Sequence, residues 1–305
     1  MLVFRSFSSP VPAPTALTIG NFDGLHLGHA AILQELKTVA ATRDLATAIL
    51  TFEPHPREFF TPDSAPARLT SLREKLEFLS AAGIDYVIVQ HFDARFAGLD
   101  AVFFRDELLA RRLNVRELMV GDDFRFGARR HGDFALLAQS TAFAARHLPT
   151  VEYHGGRVSS TSVRTALAAG NVERAADLLG RPYSISGRVV GGDQLGRKLG
   201  FPTANIAIRH NRPPLAGVFV VDVHGLAECR QGVASIGRRP TVKNPQAQSV
   251  LEVHLFDFDS DIYRKHLRVD FLHKLRDEEK YPDLASLTAQ IALDCENARA
   301  WHAAR

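Results

Sequence analysis

The sequence has only two cysteines, Cys229 and Cys295, and their spacing matches neither a disulfide framework nor a zinc site. It also has no uninterrupted apolar run of the roughly 18 residues that a membrane-spanning helix needs. Residues 1–14 are rich in proline and contain no apolar segment like the core of a signal peptide. These absences predict a cytoplasmic protein with no membrane partner.

The chain also lacks a large net charge, because its 37 lysines and arginines nearly balance its 34 aspartates and glutamates. So small an excess gives no reason to expect nucleic acid as a partner. What is present is the composition of a soluble globular protein, with 46% hydrophobic and 23% charged residues. The length suffices for two domains that each bury a core. Whether the chain forms a homo-oligomer stays open.

The stretch at residues 20–29 reads Gly-Asn-Phe-Asp-Gly-Leu-His-Leu-Gly-His, between an apolar run and a segment of helical periodicity. It predicts a turn from a strand into a helix, whose free backbone N–H groups would suit a phosphate. His26 and His29 would lie on one side of the first helical turn, and Gly28 would permit close approach. The alternatives are an ordinary turn and a metal-binding histidine pair, although that pair lacks a third nearby ligand.

Strand-like and helix-like segments alternate over the first 180 residues, which is typical of a parallel sheet covered by helices on both faces. Strands are expected at 15–19, 45–52, 84–90, 115–121 and near Val151, and helices at 30–41, 71–82, 99–113, 133–146 and 160–179. In such sheets ligands bind beyond the carboxyl ends of the strands. The segments that follow the strands are therefore candidates for a binding site.

Two of these segments carry suitable groups. His55 follows the strand at 45–52, and the loop after the strand at 115–121 contains Asp123, Phe124, Arg125 and Phe126. Aromatic rings beside an arginine would suit a flat heteroaromatic ring that carries a phosphate. The alternative is an ordinary loop whose phenylalanines pack into the core.

Hydroxyl groups stand at the predicted start of the helix at 160–179, on Ser160 and Thr161. Such groups usually cap a helix. Arg164, one turn later, adds a planar donor that suits phosphate oxygens. On these residues alone, a helix cap and a phosphate site both stay open.

Near residue 182 the pattern changes to short strands, which predicts a small antiparallel barrel. Its strands are expected at 183–190, 204–208, 218–224, 232–236, 250–256 and 267–272. A final helix at 282–301 carries an apolar stripe that would pack on the barrel, formed by Leu284, Leu287, Ile291, Cys295 and Ala298. The chain thus divides into two predicted domains, residues 1–182 and 183–305.

A glycine-rich loop lies at residues 191–200, early in the second domain. It approaches a P-loop without matching it, and no Gly-x-Gly-x-x-Gly motif occurs either. Its backbone N–H groups and two cations would still suit polyphosphate. The candidate ligands are Gly191, Gly196, Arg197 and Lys198. Thr203 and Asn205 follow, and on their own they would be turn residues after a proline.

Residues 251–255 alternate between apolar and polar side chains, so Glu252 projects from the face opposite Leu251 and Val253. A carboxylate there would serve as a base toward a hydroxyl nucleophile. The alternative is a solvent-facing strand residue. Arg276, which stands close to acidic residues, is either a ligand contact or a surface ion pair of little energetic value.

These segments together resemble the bacterial bifunctional riboflavin kinase/FMN adenylyltransferases over nearly the whole chain. Three motifs carry the resemblance: HxGH at residues 26–29, ISSTxxR at 158–164 with valine in place of isoleucine, and PTAN at 202–205. The family's fold implies an α/β nucleotidyltransferase domain with a Rossmann-like parallel sheet, followed by a riboflavin kinase barrel with a C-terminal helix. Residues 236–241 resemble a flavin-side loop of the family.

The resemblance implies that ATP phosphorylates riboflavin to FMN, and that a second ATP converts FMN to FAD and pyrophosphate, with Mg²⁺ in both sites. It implies four catalytic residues, Glu252 for the kinase and His26, His29 and Arg164 for adenylyl transfer. It assigns ATP and phosphate binding to Gly20, Asn21, Phe22, Asp23, Gly28, Ser160, Thr161, Gly191, Gly196, Arg197 and Lys198. It assigns flavin binding to His55, Asp123, Phe124, Arg125, Phe126 and Arg276, and Mg²⁺ to Thr203 and Asn205.

Two other functions stay open at this point. One module could be inactive and serve as a scaffold for the other, which would leave a monofunctional enzyme. The chain could also bind flavin as a regulator without turnover.

Overall fold

The computed structural model describes residues 1–7, 10–121, 123–148, 152–153, 156–192, 195–208, 213–238 and 249–305. Internal contacts divide the chain into two units. The first comprises Met1–Pro66 and Leu72–Val158, and the second comprises Ala67–Ser71 and Ser159–Arg305. The domain boundary at residue 182 stays a prediction from the sequence.

The first unit is built on a parallel sheet of six strands. These are β1 (Leu2–Arg5), β2 (Thr15–Ile19), β3 (Ala46–Glu53), β4 (Tyr86–His91), β5 (Val115–Gly121) and β6 (Ala144–Leu148). Their order across the sheet is β1-β4-β3-β2-β5-β6. The chain therefore leaves β2 toward β3 and later resumes on its other side with β5. Ligands of open α/β sheets bind where the direction reverses, and residues 20–29 leave β2 at that point.

Short helices connect these strands: α1 (Leu27–Thr42), α2 (Pro56–Phe60), α3 (Leu72–Ala81), α4 (Ala94–Ala97), α5 (Ala101–Phe103) and α6 (Phe134–Ala138). The chain adds 3-10 turns at Pro62–Ser64 and Ala128–Arg130, a π-helix at Phe104–Arg112, and a hairpin of β7 (Glu152–Tyr153) and β8 (Gly156–Arg157).

Successive residues of a strand pack into two different hydrophobic clusters. Leu50 and Leu118 belong to one cluster, and Ile49 and Met119 belong to the other. Both faces of the sheet are thus covered, as the apolar strands predict.

The predicted helix at 133–146 is wrong in its second half. α6 ends at Ala138, and β6 follows and pairs in parallel with β5. The sequence of β6, Ala-Ala-Arg-His-Leu, favours a helix, but pairing with a sheet edge overrides so weak a preference. The other edge strand, β1, lies in a segment where the sequence predicted no element. The strand predicted near Val151 falls on a residue outside the described part.

The second unit contains a closed antiparallel barrel, which confirms the predicted architecture. Its strands are β9 (Tyr183–Val190), β10 (Ala204–Ala207), β11 (Gly217–His224), β12 (Arg230–Arg238), β13 (Ser249–Leu255) and β14 (His266–Arg276), in the order β10-β13-β12-β11-β14-β9. Its helices are α7 (Ser160–Ala168), α8 (Val172–Leu179), α9 (Leu195–Lys198) and α10 (Leu284–Ala303). The helix predicted at 160–179 is two helices, since Gly170 has a φ of 75° and Asn171 caps α8.

The C-terminal helix α10 packs on the outside of the barrel. Cys295 and Ala298 are buried, as the apolar stripe predicts, but Leu284 in the first turn is 56% exposed. A charged residue, Asp294, takes a place on the buried face instead. Within the described residues, no helix combines the length and the apolar character needed to cross a membrane.

We expect Phe219→Ala to destabilise the barrel by about 3–5 kcal/mol, because it removes a large side chain from a packed core. Phe219 on β11 is fully buried, and its ring meets that of Phe271 edge to face at 5.4 Å. Urea unfolding followed by the fluorescence of Trp301, the chain's one tryptophan, measures the change in this unit. Val190→Ala, at an exposed position of β9, should cost less than about 1 kcal/mol. Equal midpoints for the two variants would contradict this packing.

Candidate functional site

The turn at residues 20–29 is held in a conformation that its residues rarely adopt. Phe22, Gly24 and Leu25 have φ angles of 46°, 85° and 41°. A left-handed backbone costs roughly 1–2 kcal/mol for a residue other than glycine. Phe22 and Leu25 offset this cost by burial, since they are 1% and 8% exposed in the core that also contains buried residues of α1. The two side chains therefore fix the path by which the chain reaches His26.

The two histidines of this turn lie in contact. His26 is the N-cap of α1, and its Nδ1 accepts a hydrogen bond from the backbone N–H of His29 at 3.3 Å. The rings stack with centroids 3.7 Å apart, and the ring of Phe22 packs on His29 at 4.9 Å. Because Nδ1 of His26 accepts, the proton of the neutral ring must be on Nε2. The hydrogen bond thus determines which ring nitrogen of His26 carries the proton.

The ring of His26 packs closely on Gly28, so a side chain at position 28 would crowd it. A Cβ atom there would lie 3.0 Å from Nδ1 and 3.1 Å from Cε1 of that ring, and 3.3 Å from the carbonyl oxygen of Val158. A Cβ at Gly20 would similarly lie 3.1 Å from the ring of Phe22. Protein groups therefore approach Gly28 closely, and the close approach of a phosphate to this glycine stays a prediction.

A cavity of about 1060 Å³, the aromatic cavity, lies beside this turn. Gly20 and Asn21 line it, and so do all the flavin residues predicted in this unit, His55, Asp123, Phe124, Arg125 and Phe126. Phe124 and Phe126 stack at 5.6 Å. Phe126 also packs on Phe104 in the core at 5.3 Å, so the core and the cavity share this ring.

The aromatic wall extends beyond what the sequence analysis found. Phe52, Phe59, Phe60, Phe92 and Phe96 also line the cavity. Their neighbouring ring centroids are 5.1–5.7 Å apart, and all pairs are edge to face except Phe52 and Phe96, which are tilted. Phe52 and Phe92 lie at the carboxyl ends of β3 and β4, a position from which the parallel-sheet rule could have identified them.

Positive charge surrounds this apolar wall. Four arginines, Arg57, Arg125, Arg129 and Arg130, line the cavity, against one described carboxylate, Asp123. The cavity thus combines aromatic surface with an excess of guanidinium groups. That combination suits a flat ring bearing an anionic group. His55 contributes a local structural role, because its Nδ1 accepts from the backbone N–H of Arg57 and caps α2.

The predicted phosphate residues of α7 belong to the second unit. Ser159 and Ser162 form the helix cap, each side chain accepting from the other's backbone N–H at 3.0–3.1 Å. The cap therefore does not need Ser160 or Thr161. Arg164 donates from Nε to the carbonyl of Ala67 at 2.6 Å. The convergence of Arg164 with the histidines of the first unit stays a prediction.

Two cavities of similar size lie on the barrel. The first barrel cavity, about 540 Å³, is lined by Arg197, Thr203 and Asn205 and by residues 258–263. The second barrel cavity, about 550 Å³, is lined by Glu252, Arg276 and Thr203. Thr203 therefore lies in the wall that the two cavities share. No motif in the sequence identifies residues 258–263 as part of a site.

Close packing around two glycines positions the residues of this wall. A Cβ at Gly192 would overlap the side-chain amide of Asn205, and one at Gly196 would lie 3.3 Å from Oγ1 of Thr203. Gly191 has open space around it, so its surroundings do not require a glycine. Lys198 lines neither cavity among the described contacts, and Asp193 and Gln194 lie outside the described residues.

Glu252 and His254 project from β13 on the side opposite its buried residues, as the alternating pattern predicts. Asn205 on β10 is directly opposite Glu252 in the strand register. His254 fixes the segment before Thr203, since its Nδ1 donates to the carbonyl of Pro202 at 2.9 Å. The carboxylate and the two predicted oxygen ligands are thus held by one small region of the barrel.

Arg276 is neither free nor a solvated surface residue. Its Nη2 and Nε donate to the carboxylate of Asp294 on α10 at 2.7 and 2.9 Å, and the side chains are 19% and 5% exposed. Donation of these hydrogen bonds to Asp294 raises the pKa of the Arg276 guanidinium. Nη1 donates to the carbonyl of Asp277. The pair therefore ties β14 to α10 along the second barrel cavity, and the surface ion pair considered above is excluded.

A metal site built from histidine, cysteine and carboxylate ligands alone is not found among the described residues. They contain no group of three or more histidine, cysteine, aspartate or glutamate side chains that could hold an ion. Of the segment at 236–241, positions 239–241 lie outside the described residues.

Two family models match the chain. The model described as FAD synthetase matches residues 8–162, and the model described as riboflavin kinase matches residues 179–302. Curated relatives match along almost their whole length. The bifunctional riboflavin kinase/FMN adenylyltransferase of Escherichia coli (strain K12) is 50% identical over 287 residues, which are 93% of this chain and 91% of that protein. The protein of the same name from Haemophilus influenzae is 44% identical, with 94% of each chain covered.

One solved structure also covers both units. A crystal structure described as a macrolide-efflux protein from Streptococcus pneumoniae matches with a TM-score of 0.83 and 28% sequence identity. The match covers 98% of this chain and 99% of that chain.

The hydrogen bonds of three histidines predict their tautomers. His26 and His55 accept at Nδ1 and should carry their proton on Nε2, whereas His254 donates from Nδ1 to a carbonyl and should carry it there. Long-range ¹H–¹⁵N correlation spectra at pH 8 distinguish the two forms. His254 serves as the internal control, and an Nδ1–H form of His26 would show that the helix cap is not formed as described.

We expect Asp294→Asn to destabilise the second unit by about 2–3 kcal/mol, because it removes the charge that pairs with Arg276 in a mostly buried site. Urea unfolding followed by Trp301 fluorescence measures the loss. Glu296→Gln removes the same charge from an exposed position of the same helix and should change stability by less than about 0.5 kcal/mol. If the two variants were equally stable, the ion pair would contribute nothing.

Proposed function

This chain belongs to the family of bifunctional riboflavin kinase/FMN adenylyltransferases, and from that premise we propose that it makes FMN in the barrel and FAD in the first unit. The observation that carries the proposal is the shared wall at Thr203, with Glu252 in one barrel cavity and Asn205 in the other. A kinase must bind its alcohol substrate and its phosphate donor next to each other, and two cavities that share a wall allow this. The aromatic cavity beside the histidine turn supports the second reaction.

In the kinase reaction, riboflavin occupies the second barrel cavity and ATP the first. The 5′-hydroxyl of riboflavin is a weak nucleophile, and Glu252 accepts its proton as the oxygen attacks the γ-phosphorus. ADP leaves on the side of Arg197, whose guanidinium suits phosphate oxygens. Thr203 orients the transferred group because it faces both cavities.

The residues at this wall fit a magnesium ion. Mg²⁺ prefers oxygen ligands and keeps several waters, so the hydroxyl of Thr203 and the amide oxygen of Asn205 would suffice beside ATP. Glycine at position 192 leaves room next to that amide, where a Cβ would overlap it. When bound, the ion supplies charge neutralisation to the phosphates.

In adenylyl transfer, the flavin ring of FMN lies among the phenylalanines of the aromatic cavity. The FMN phosphate attacks the α-phosphorus of ATP and expels pyrophosphate. No base is required, because a phosphate monoester with a second pKa near ~6 is already largely dianionic at pH 7. His26 and His29, with Arg164, stabilise the charge on the phosphorus and the leaving group. The stacking of the two imidazole rings, with centroids 3.7 Å apart, supports a joint role for the histidines.

The alternative functions predict different products. A monofunctional enzyme would yield FMN without FAD, or FAD from supplied FMN only, and a flavin-binding regulator would yield neither. Incubation of the purified protein with riboflavin, ATP and Mg²⁺, followed by chromatographic separation of the flavins, distinguishes them. We also propose a cytoplasmic location, and sedimentation tests whether the chain forms a homo-oligomer.

Two variants should separate the reactions. Glu252→Gln should lower FMN formation by about 10²–10⁴-fold and leave conversion of FMN to FAD intact, because the carboxylate acts only in the barrel. His29→Ala should lower FAD formation by about 10²–10³-fold and leave FMN formation intact. Flavin products from riboflavin and from FMN are measured separately for each variant.

Each of these substitutions has a matched control, in which the same change is made at an exposed position. Glu228→Gln and His91→Ala change exposed residues outside the three cavities and should retain both activities. Loss of both activities in a folded Glu252→Gln or His29→Ala variant would contradict two independent sites.

A further inference from the structure

A buried lysine in the first unit has no part in either reaction above. Lys75 on α3 is 3% exposed, as deeply buried as many core residues. Lysine is almost never buried to this extent without polar partners, because removing an ammonium group from water costs several kcal/mol. A buried cation therefore needs an explanation in the contacts that it makes.

One of those contacts leads to the histidine turn. Nζ of Lys75 donates to Oγ1 of Thr51 at 3.2 Å, and Thr51 on β3 is fully buried. The same hydroxyl donates to the backbone carbonyl of Asn21 at 3.3 Å. A hydroxyl has one proton to donate, so the lysine contact leaves that proton for the carbonyl. The order of donation is thus fixed from Lys75 through Thr51 to Asn21.

The carbonyl of Asn21 is a sensitive point of the turn. Its peptide group precedes Phe22, whose φ of 46° is the first of the positive values in the turn. Rotation of that peptide would change the direction in which the chain continues to His26. The ring of Phe22 also packs on His29 at 4.9 Å. A bond that fixes the Asn21 carbonyl therefore acts on the position of both imidazoles.

We propose that Lys75 is a positioning residue for adenylyl transfer, and that it holds the histidine turn through the hydroxyl of Thr51. The consequence for catalysis rests on the proposed function, whereas the consequence for the histidine rings does not. Lys75 and Thr51 contact the turn from the protein interior and act through Asn21 on the groups that meet the phosphates. Loss of the relay should lower the rate of FAD formation more than it weakens ATP binding.

The chain offers a matched control on the same strand. Thr47 on β3 is 4% exposed, and its hydroxyl bonds to Asp85 at 2.8 Å and to no described residue of the turn. Thr47→Val and Thr51→Val each remove a buried hydroxyl from β3 and keep the side chain's shape. Only the second interrupts the relay. Thr51→Ser keeps the hydroxyl and serves as the conservative variant.

The first measurement compares kinetics in the full chain. Thr51→Val and Lys75→Met should each lower kcat for FAD formation from FMN by about 10- to 100-fold, with a smaller change in KM for ATP. Thr51→Ser should stay close to the wild type. Riboflavin phosphorylation should be unchanged in every variant. The double variant should lose no more than the stronger single variant, because the two residues act in one chain.

The second measurement needs no activity. The ring resonances of His26 and His29 in the free protein should shift in Thr51→Val and Lys75→Met and stay in place in Thr47→Val. If wild-type protein made no FAD, the proposed function would fail, and these spectra would still decide the positioning role.

Three results would overturn the proposal. Wild-type kcat and unshifted histidine resonances in Lys75→Met would show that the lysine does not act on the turn. Loss of activity in Lys75→Met with a normal Thr51→Val would assign the effect to charge and exclude the relay. An equal loss in Thr47→Val would identify general destabilisation as the cause.

Discussion

Burial of Phe22 is the constraint on which the first unit's site depends. Its ring lies in the core while its backbone is left-handed, so the core stabilises a turn that the isolated residues would avoid. That turn delivers His26 to the first position before α1, where it becomes the cap, and Gly28 leaves room for its ring. A single packing contact thus determines the ring geometry, the helix start and the direction of the N–H donor.

In the barrel, the strand register determines where the candidate residues lie. Asn205 and Glu252 stand opposite each other on β10 and β13, and closure of the barrel prevents either strand from slipping. In the segment between α9 and β10, Thr203 packs against Gly196, and a hydrogen bond from His254 holds the carbonyl of the preceding Pro202. In both units, therefore, helices and strands position the candidate side chains, and glycines leave space for them.

The sequence predicted those parts that local patterns determine. Apolar runs identified β5 and β9 to the residue, and alternation gave the orientation of Glu252. It failed at β6, because an edge strand of alanine and arginine acquires its structure only from its neighbour. It also missed Asp294 and Lys75. Both are charged residues on helices, which a pattern assigns to the solvent face, and only tertiary contacts with Arg276 and Thr51 explain their burial.

The charge of the cavities follows the charge of the proposed substrates. The second barrel cavity contains the carboxylates of Glu252, Glu278, Glu279 and Asp294 with two cations, Arg276 and Lys280, whereas the aromatic cavity has four arginines and one carboxylate. Riboflavin is neutral and needs a base, so it tolerates the acidic cavity that provides one. FMN carries a dianion, which the acidic cavity repels and the basic cavity attracts. On the proposed assignment of the two sites, this charge difference favours release of FMN from the barrel and its capture in the aromatic cavity.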